Sequence, residues 1–123
     1  MIIHTPNAPD PIGPYSQACI SGDFVFVSGQ IPIKPETGRL EEGGIKEQVW
    51  QVMKNLDAIL RAAGTNFNKV VKTTIYTTDL GLFPEINEIY GQFFKTHKPA
   101  RSTVEVKALP MGALVEVDVI AAL

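Results

Sequence analysis

The chain holds one cysteine, Cys19, among 123 residues, so no disulfide forms within it and a small secreted fold stapled by cross-links is not expected. Histidine is almost as scarce. His4 and His97 stand apart, and neither has a partner at familiar zinc spacing, so the expectation is no metal site. A large excess of either charge is absent too: 13 acidic residues against 11 basic ones leave a formal −2, which gives no general pull toward nucleic acid or an anionic membrane. No apolar run is long enough to cross a bilayer, and the start Met1-Ile2-Ile3-His4-Thr5-Pro6 lacks the basic residues and apolar stretch of a signal peptide. There is no phosphate loop, dinucleotide glycine fingerprint or nucleophile elbow. These absences, with a 45% hydrophobic composition, point to a single domain spanning residues 1–123 in a reducing, cytoplasmic setting.

What is present reads as alternating strands and helices. The run from Pro6 to Pro14 is too rich in Pro, Gly and Asn for regular structure. Ala18-Cys19-Ile20 and Phe24-Val25-Phe26-Val27 flank Ser21-Gly22-Asp23 as a hairpin, with Cys19 expected as a buried, inert thiol. Ile45, Val49, Val52, Met53, Leu56, Ile59, Leu60 and Ala63 recur at helical spacing, and Gly64 supplies a stop. Val70 to Thr77 has strand composition. A second helical stripe, Phe83, Ile86, Ile89, Tyr90, Phe93 and Phe94, carries Pro84 in its first turn, and His97 is expected to cap its end. Two strands close the chain, one after Pro99 and one over Leu114 to Val119.

That order predicts an α+β layer, a mixed sheet with both helices on one face. Phe24 and Phe26 point one way from their strand while Val25 and Val27 point the other, so helices on one face leave an apolar second face. A homo-oligomer is expected to bury it.

The candidate chemistry centres on Arg101, a charge at a strand entry, which alternation places with Thr103 and Glu105 on one face and opposite Ser102 and Val104. Its guanidinium suits either an ion pair with Glu105, Glu116 or Asp118, or a bidentate grip on a substrate carboxylate, and residue chemistry alone leaves these balanced. Glu116, the polar exception between Val115 and Val117, is either the structural partner of Arg101 or a proton-handling group. Tyr15-Ser16-Gln17 reads first as packing and turn residues. At Ser28-Gly29 the glycine serves a turn or a close approach of backbone to ligand.

Together these segments resemble a known family. Gly13-Pro14-Tyr15-Ser16-Gln17-Ala18, Val27-Ser28-Gly29-Gln30-Ile31-Pro32, Pro99-Ala100-Arg101-Ser102 with Val104-Glu105-Val106, and Val115-Glu116-Val117 resemble the RidA/YjgF family of enamine and imine deaminases over nearly the whole chain. The resemblance implies a chorismate-mutase-like fold, a homotrimer with clefts between subunits, and no cofactor. It implies small 2-enamino and 2-imino acids, such as 2-aminoacrylate and 2-iminobutanoate, as substrates, hydrolysed to 2-oxo acids and ammonia. By position, Arg101 would hold the substrate carboxylate and Glu116 would place or deprotonate water. Tyr15, Ser28, Gly29, Asn87 and Thr103 would line the cleft. Many relatives carry Cys where this chain has Thr103. Other readings are a non-catalytic small-acid-binding or chaperone-like oligomer, a ribonuclease or translation inhibitor, and a chorismate mutase.

Overall fold

The computed structural model describes residues 1–123. Six strands form one sheet in the order β1-β2-β3-β6-β4-β5: β1 (Ile2–Ile3), β2 (Ala18–Ser21), β3 (Phe24–Gln30), β4 (Val70–Thr77), β5 (Ala100–Glu105) and β6 (Val115–Ala122). All neighbours are antiparallel except β4 and β5, which run parallel. The two helices are α1 (Ile45–Ala62) and α2 (Phe83–Tyr90), and both pack on one face, as the element order predicted. A parallel neighbour needs a crossover, and α2 is the crossover from β4 to β5.

On α1 the apolar stripe Val49, Val52, Met53, Leu56, Ile59 and Leu60 is fully buried. At roughly 1.5–3 kcal/mol per buried aliphatic side chain, it dominates the placement of the helix. The same face buries Gln51 and Asn55, which are satisfied: Gln51 donates to Asn55 Oδ1 at 2.9 Å, and Asn55 donates to the Ile33 carbonyl at 2.9 Å. Gln48 likewise accepts from the Leu114 N–H at 2.9 Å. The helix therefore fixes the loops after β3 and before β6 as well as the core. Gly64, at φ 84°, turns the chain away, and the Thr65 N–H closes onto the Leu60 carbonyl.

Strand β6 decides which face is which. Val115, Val117, Val119 and Ala121 are buried under the helices, while Glu116, Asp118, Ile120 and Ala122 lie on the other, open face. The open face continues through Phe24 and Phe26 on β3 and Val104 on β5, 41%, 46% and 41% exposed, so one apolar sheet face is uncovered within the chain.

Three expectations change. Cys19 is exposed on the open face opposite Phe26, because alternation gives the core position to its neighbour Ala18. Helix α2 stops at Tyr90, and residues through Phe94 continue as tight i to i+3 turns that still bring Phe93 and Phe94 to the core. His97 therefore does not cap it: its Nε2 bonds the Val70 carbonyl, and Lys98 Nζ takes the Phe94 and Lys95 carbonyls at 3.1 and 3.3 Å. Strand β1, two residues long, is too short to register in a periodicity.

Candidate functional site

Arg101 sits one residue into β5, paired in register with Thr73, which is fully buried on the helix side. Its side chain leaves the sheet toward α2, where Phe83, Asn87 and Tyr90 share one face through their spacing of four and three residues. Nη1 donates to Asn87 Oδ1 at 2.8 Å, and the guanidinium carbon lies 5.2 Å from the Phe83 ring centre and 5.1 Å from that of Tyr90. Each ring contact contributes roughly 0.5–2 kcal/mol to holding a cation there. Tyr90 is in turn fixed by a 2.8 Å hydrogen bond with Thr73 Oγ1, and burial raises its phenol's pKa, keeping it neutral.

No carboxylate completes this arrangement. Glu105 accepts the Leu80 N–H at 2.9 Å, Asp118 accepts the Tyr76 hydroxyl at 3.0 Å, and Arg101 makes no ion pair within the chain. The structural reading of Arg101 as a partner of Glu105, Glu116 or Asp118 is not realised. Beside it opens a cleft of 290 Å³ walled by Asn87, Tyr90, Phe94, Lys98 and Pro99. Thr103, two residues on and on the same face, has a buried hydroxyl with no hydrogen-bond partner. The arrangement is a guanidinium held through Nη1 by Asn87 and without an ion-pair partner, its remaining N–H donors suited to a planar anion.

Glu116 lies elsewhere. It is half-buried on the open face, in register with Tyr76. Strand β3 bulges opposite β6, since Val27 pairs with Val119 and Gln30 pairs with Val117, leaving Ser28-Gly29 against one residue. The bulge brings Gly29 against the Glu116 side chain. A Cβ built on Gly29 would stand 2.8 Å from the Glu116 carboxyl carbon, so the absence of a side chain there makes room for the carboxylate. Burial, and then repulsion from Asp118, raise the Glu116 pKa above the usual carboxylate range.

Ser28 is largely committed to the loop before β2: its hydroxyl donates to the Ser16 carbonyl at 2.6 Å and its N–H to the Gln17 carbonyl at 2.9 Å. Tyr15 forms a half-exposed wall, its hydroxyl accepting the Ile12 N–H at 3.3 Å. These groups border a second cleft, of 390 Å³, lined by Ile12, Tyr15, Ser28, Gly29, Ile31 and Glu116.

The seven residues singled out from sequence thus divide. Arg101 and Asn87 line the first cleft, with Thr103 on the same face of β5 but outside that lining; Tyr15, Ser28, Gly29 and Glu116 gather around the bulge. One chain does not bring Arg101 and Glu116 together, because they leave opposite faces of the sheet. Asn87 holds Arg101 as well as lining its cleft. Phe83 and Tyr90, read from sequence as core, also hold the guanidinium, a role legible only in their spacing around Asn87.

Gln17, read from sequence only as a turn residue beside Tyr15, is a supporting residue of the site's loop. It is 1% exposed; its amide accepts the Thr5 N–H at 2.7 Å and donates to the Thr5 and Pro9 carbonyls at 3.1 and 2.9 Å. It ties down both ends of the loop that leads to Tyr15.

Comparison with known proteins finds relatives over nearly the whole chain. The family profile described as endoribonuclease L-PSP matches residues 5–123. A RutC family protein of Aquifex aeolicus is 56% identical over 121 residues, covering 97% of this chain and 96% of its own. The human protein named 2-iminobutanoate/2-iminopropanoate deaminase is 45% identical over 120 residues, covering 98% of this chain and 88% of its own. A solved structure from Yersinia pestis, described as a protein of unknown function of the conserved Rid family, superposes with a TM-score of 0.98 at 53% identity, over 100% of this chain and 98% of that one. On the profile, the identities and the fold together, the chain belongs to the RidA/YjgF family.

Proposed function

We propose that this protein is a hydrolytic deaminase of small 2-imino and 2-enamino acids, releasing 2-oxo acids and ammonia. The observation that carries the reading is Arg101: a guanidinium held by Asn87, Phe83 and Tyr90, bordering a cleft, with no acidic partner in its own chain. A substrate carboxylate supplies the missing charge, and the name of the human relative supplies the chemical class.

An imine carbon next to a carboxylate is electrophilic already, so the protein needs to hold it, place one water and move protons. The enamine first tautomerises to the imine. Glu116 as carboxylate then takes a proton from water as its oxygen bonds to C2, the electron pair of the C=N bond moves to nitrogen, and Glu116 passes that proton on to nitrogen to give the carbinolamine. The carbinolamine collapses as Glu116 takes its hydroxyl proton and delivers it to nitrogen, the C=O bond forms and the C–N bond breaks to release ammonia. Arg101 binds the carboxylate throughout, Thr103 offers its unpaired hydroxyl beside it, and Tyr15, Ser28 and Gly29 shape the Glu116 side. No cofactor enters this scheme.

Arg101 and Glu116 leave opposite faces of one sheet, so in this reading a working site takes the guanidinium from one copy and the carboxyl from another. The family resemblance gives a homotrimer, and the uncovered face with Phe24, Phe26 and Val104 gives the copies something to bury.

The profile's endoribonuclease description has less support in this chain. His4 pairs with exposed Asp10 and His97 with the Val70 carbonyl, so no two imidazoles meet for phosphodiester chemistry.

The test is the decay of 2-iminobutanoate, generated by a threonine dehydratase, with and without catalytic amounts of the protein. Arg101→Lys keeps the charge but loses the fork, and is expected to lower kcat/KM by about 10–100-fold. Co-assembled Arg101→Ala and Glu116→Gln chains, each inactive alone, should recover about a quarter of the parent activity if sites are shared at random between copies. Decay unaffected by the parent protein sinks the reading; no recovery in a mixed oligomer sinks the shared site.

A further inference from the structure

Three titratable side chains meet on the open face of the sheet. Glu116 and Asp118 are two residues apart on β6 and share that face. Tyr76 stands opposite Glu116 in the β4 register and reaches across to donate its hydroxyl to Asp118 Oδ2 at 3.0 Å.

The other groups on that face are mostly not charged. Strand β3 presents Phe24 and Phe26, and β5 presents Ser102 and Val104. Lys72 stands at the far end of β4, where it donates to Ser102 Oγ at 2.9 Å. Across the cleft from Glu116 is the phenol of Tyr15. Within the chain, Asp118 is therefore the charge beside Glu116, and Tyr76 is what holds it.

A carboxyl that first takes a proton from water and later returns it to nitrogen needs a proton affinity between the two partners. A plain surface carboxylate is too weak a base for the first step. A fixed neighbouring anion corrects this, because a second negative charge makes protonation of the first carboxylate more favourable.

We propose that Tyr76 and Asp118 are positioning residues for Glu116: the phenol pins the Asp118 carboxylate on the shared face, and that held charge sets when Glu116 takes up and gives back its proton. The proposal rests on Glu116 acting in the hydrolysis proposed above. Tyr76 adds a second condition. Its hydroxyl donates to the ionised form of Asp118 and so keeps that charge in place, while burial and the adjoining acids raise the phenol's own pKa and keep the donor protonated.

The experiment follows the Glu116 side-chain carboxyl directly, by carbon NMR of the intact protein labelled at glutamate, with its signal assigned by loss in Glu116→Gln. In Asp118→Asn the titration midpoint is expected to fall by about 0.5–1 pH unit, a change of roughly 3–10-fold in proton affinity. The acidic limb of kcat/KM should move down in pH by the same amount. Tyr76→Phe should move both in the same direction by less, since Asp118 is then free to swing away; it also carries the test if Asp118→Asn does not fold. A folded, oligomeric variant whose midpoint stays at the parent value overturns the proposal. Parent-rate turnover by Glu116→Gln is a different result: it removes Glu116 from the chemistry, and the proposal falls with that reading rather than on its own account.

Discussion

Replacing Gly29 with alanine tests how the Glu116 carboxylate is placed, with little disturbance to the fold. The backbone at Gly29 is not in the left-handed region, so alanine adopts it without strain and gains about 0.4–1 kcal/mol from a stiffer unfolded chain. The new Cβ, however, lies 2.8 Å from the Glu116 carboxyl carbon. Carbon atoms sit comfortably at about 3.5–4.0 Å, so the carboxyl group must withdraw by about 1 Å. Glu116 is flexible beyond its own Cβ, and an off-rotamer adjustment costs about 0.5–1.5 kcal/mol, which roughly cancels the backbone gain. Stability should change little, with a thermal midpoint within a few degrees of the parent. Activity should not be spared, because a displacement near 1 Å in a reacting group costs on the order of 100-fold in rate. The assay is 2-iminobutanoate decay at matched concentrations, with light scattering to show an unchanged oligomer. A folded, assembled Gly29→Ala that clears the imine at the parent rate would refute the reasoning. So would a loss of several kcal/mol in urea, because it would mean that the backbone, not the Glu116 side chain, has to yield.

Three further outcomes are expected. Gln17→Ala leaves the buried Thr5 N–H and carbonyl and the partly buried Pro9 carbonyl without their partner and should lower stability in urea by about 2–3 kcal/mol. Thr103→Val removes a buried hydroxyl that has no partner, so thermal stability should hold or rise by up to about 1 kcal/mol, while KM for 2-iminobutanoate rises about 3–10-fold; an unchanged KM would deny the hydroxyl a role. Glu116→Gln should raise the thermal midpoint at pH 8 and lose that advantage toward pH 4. The sign follows from a folded pKa raised above the unfolded one: the parent's contribution from this group is fully present below the ordinary carboxylate range and is lost as pH rises through the raised value. Calorimetry across that range checks it.

Periodicity and turn residues carried the layer order, and the reason is physical. The stripes on α1 and β6 are long enough to bury a face, so packing agrees with local pattern. Alternation on β5 correctly separated Arg101 and Thr103 from Val104. It did not say which set would meet the helices, and here the polar set does, because α2 brings Asn87 and two aromatic rings to receive it. Cys19 was misplaced because a three-residue apolar stretch has no preferred side until its register with Phe26 is fixed. The division of the site between two faces was not legible either. It depends on the parity of Arg101 and Glu116 across three paired strands, a property of register that neither segment carries alone. The partners of Gln17, which was read as a turn residue, were not legible either, since they lie 8 to 12 residues away in an irregular loop.

The β4-α2-β5 crossover bears on how the two half-sites are made. Thr73, Phe83, Asn87, Tyr90 and Arg101 all fall within one short continuous stretch, so the cationic half assembles from local contacts as soon as that unit folds. The acidic half draws Tyr15, Gly29 and Glu116 from three separate parts of the sequence, and it exists only once β3 and β6 have paired. Trimming or lengthening the amino-terminal loop would therefore reshape the Glu116 cleft while leaving the anion grip intact. The two halves can vary independently, with recognition of the carboxylate held constant while the wall facing the rest of the substrate changes.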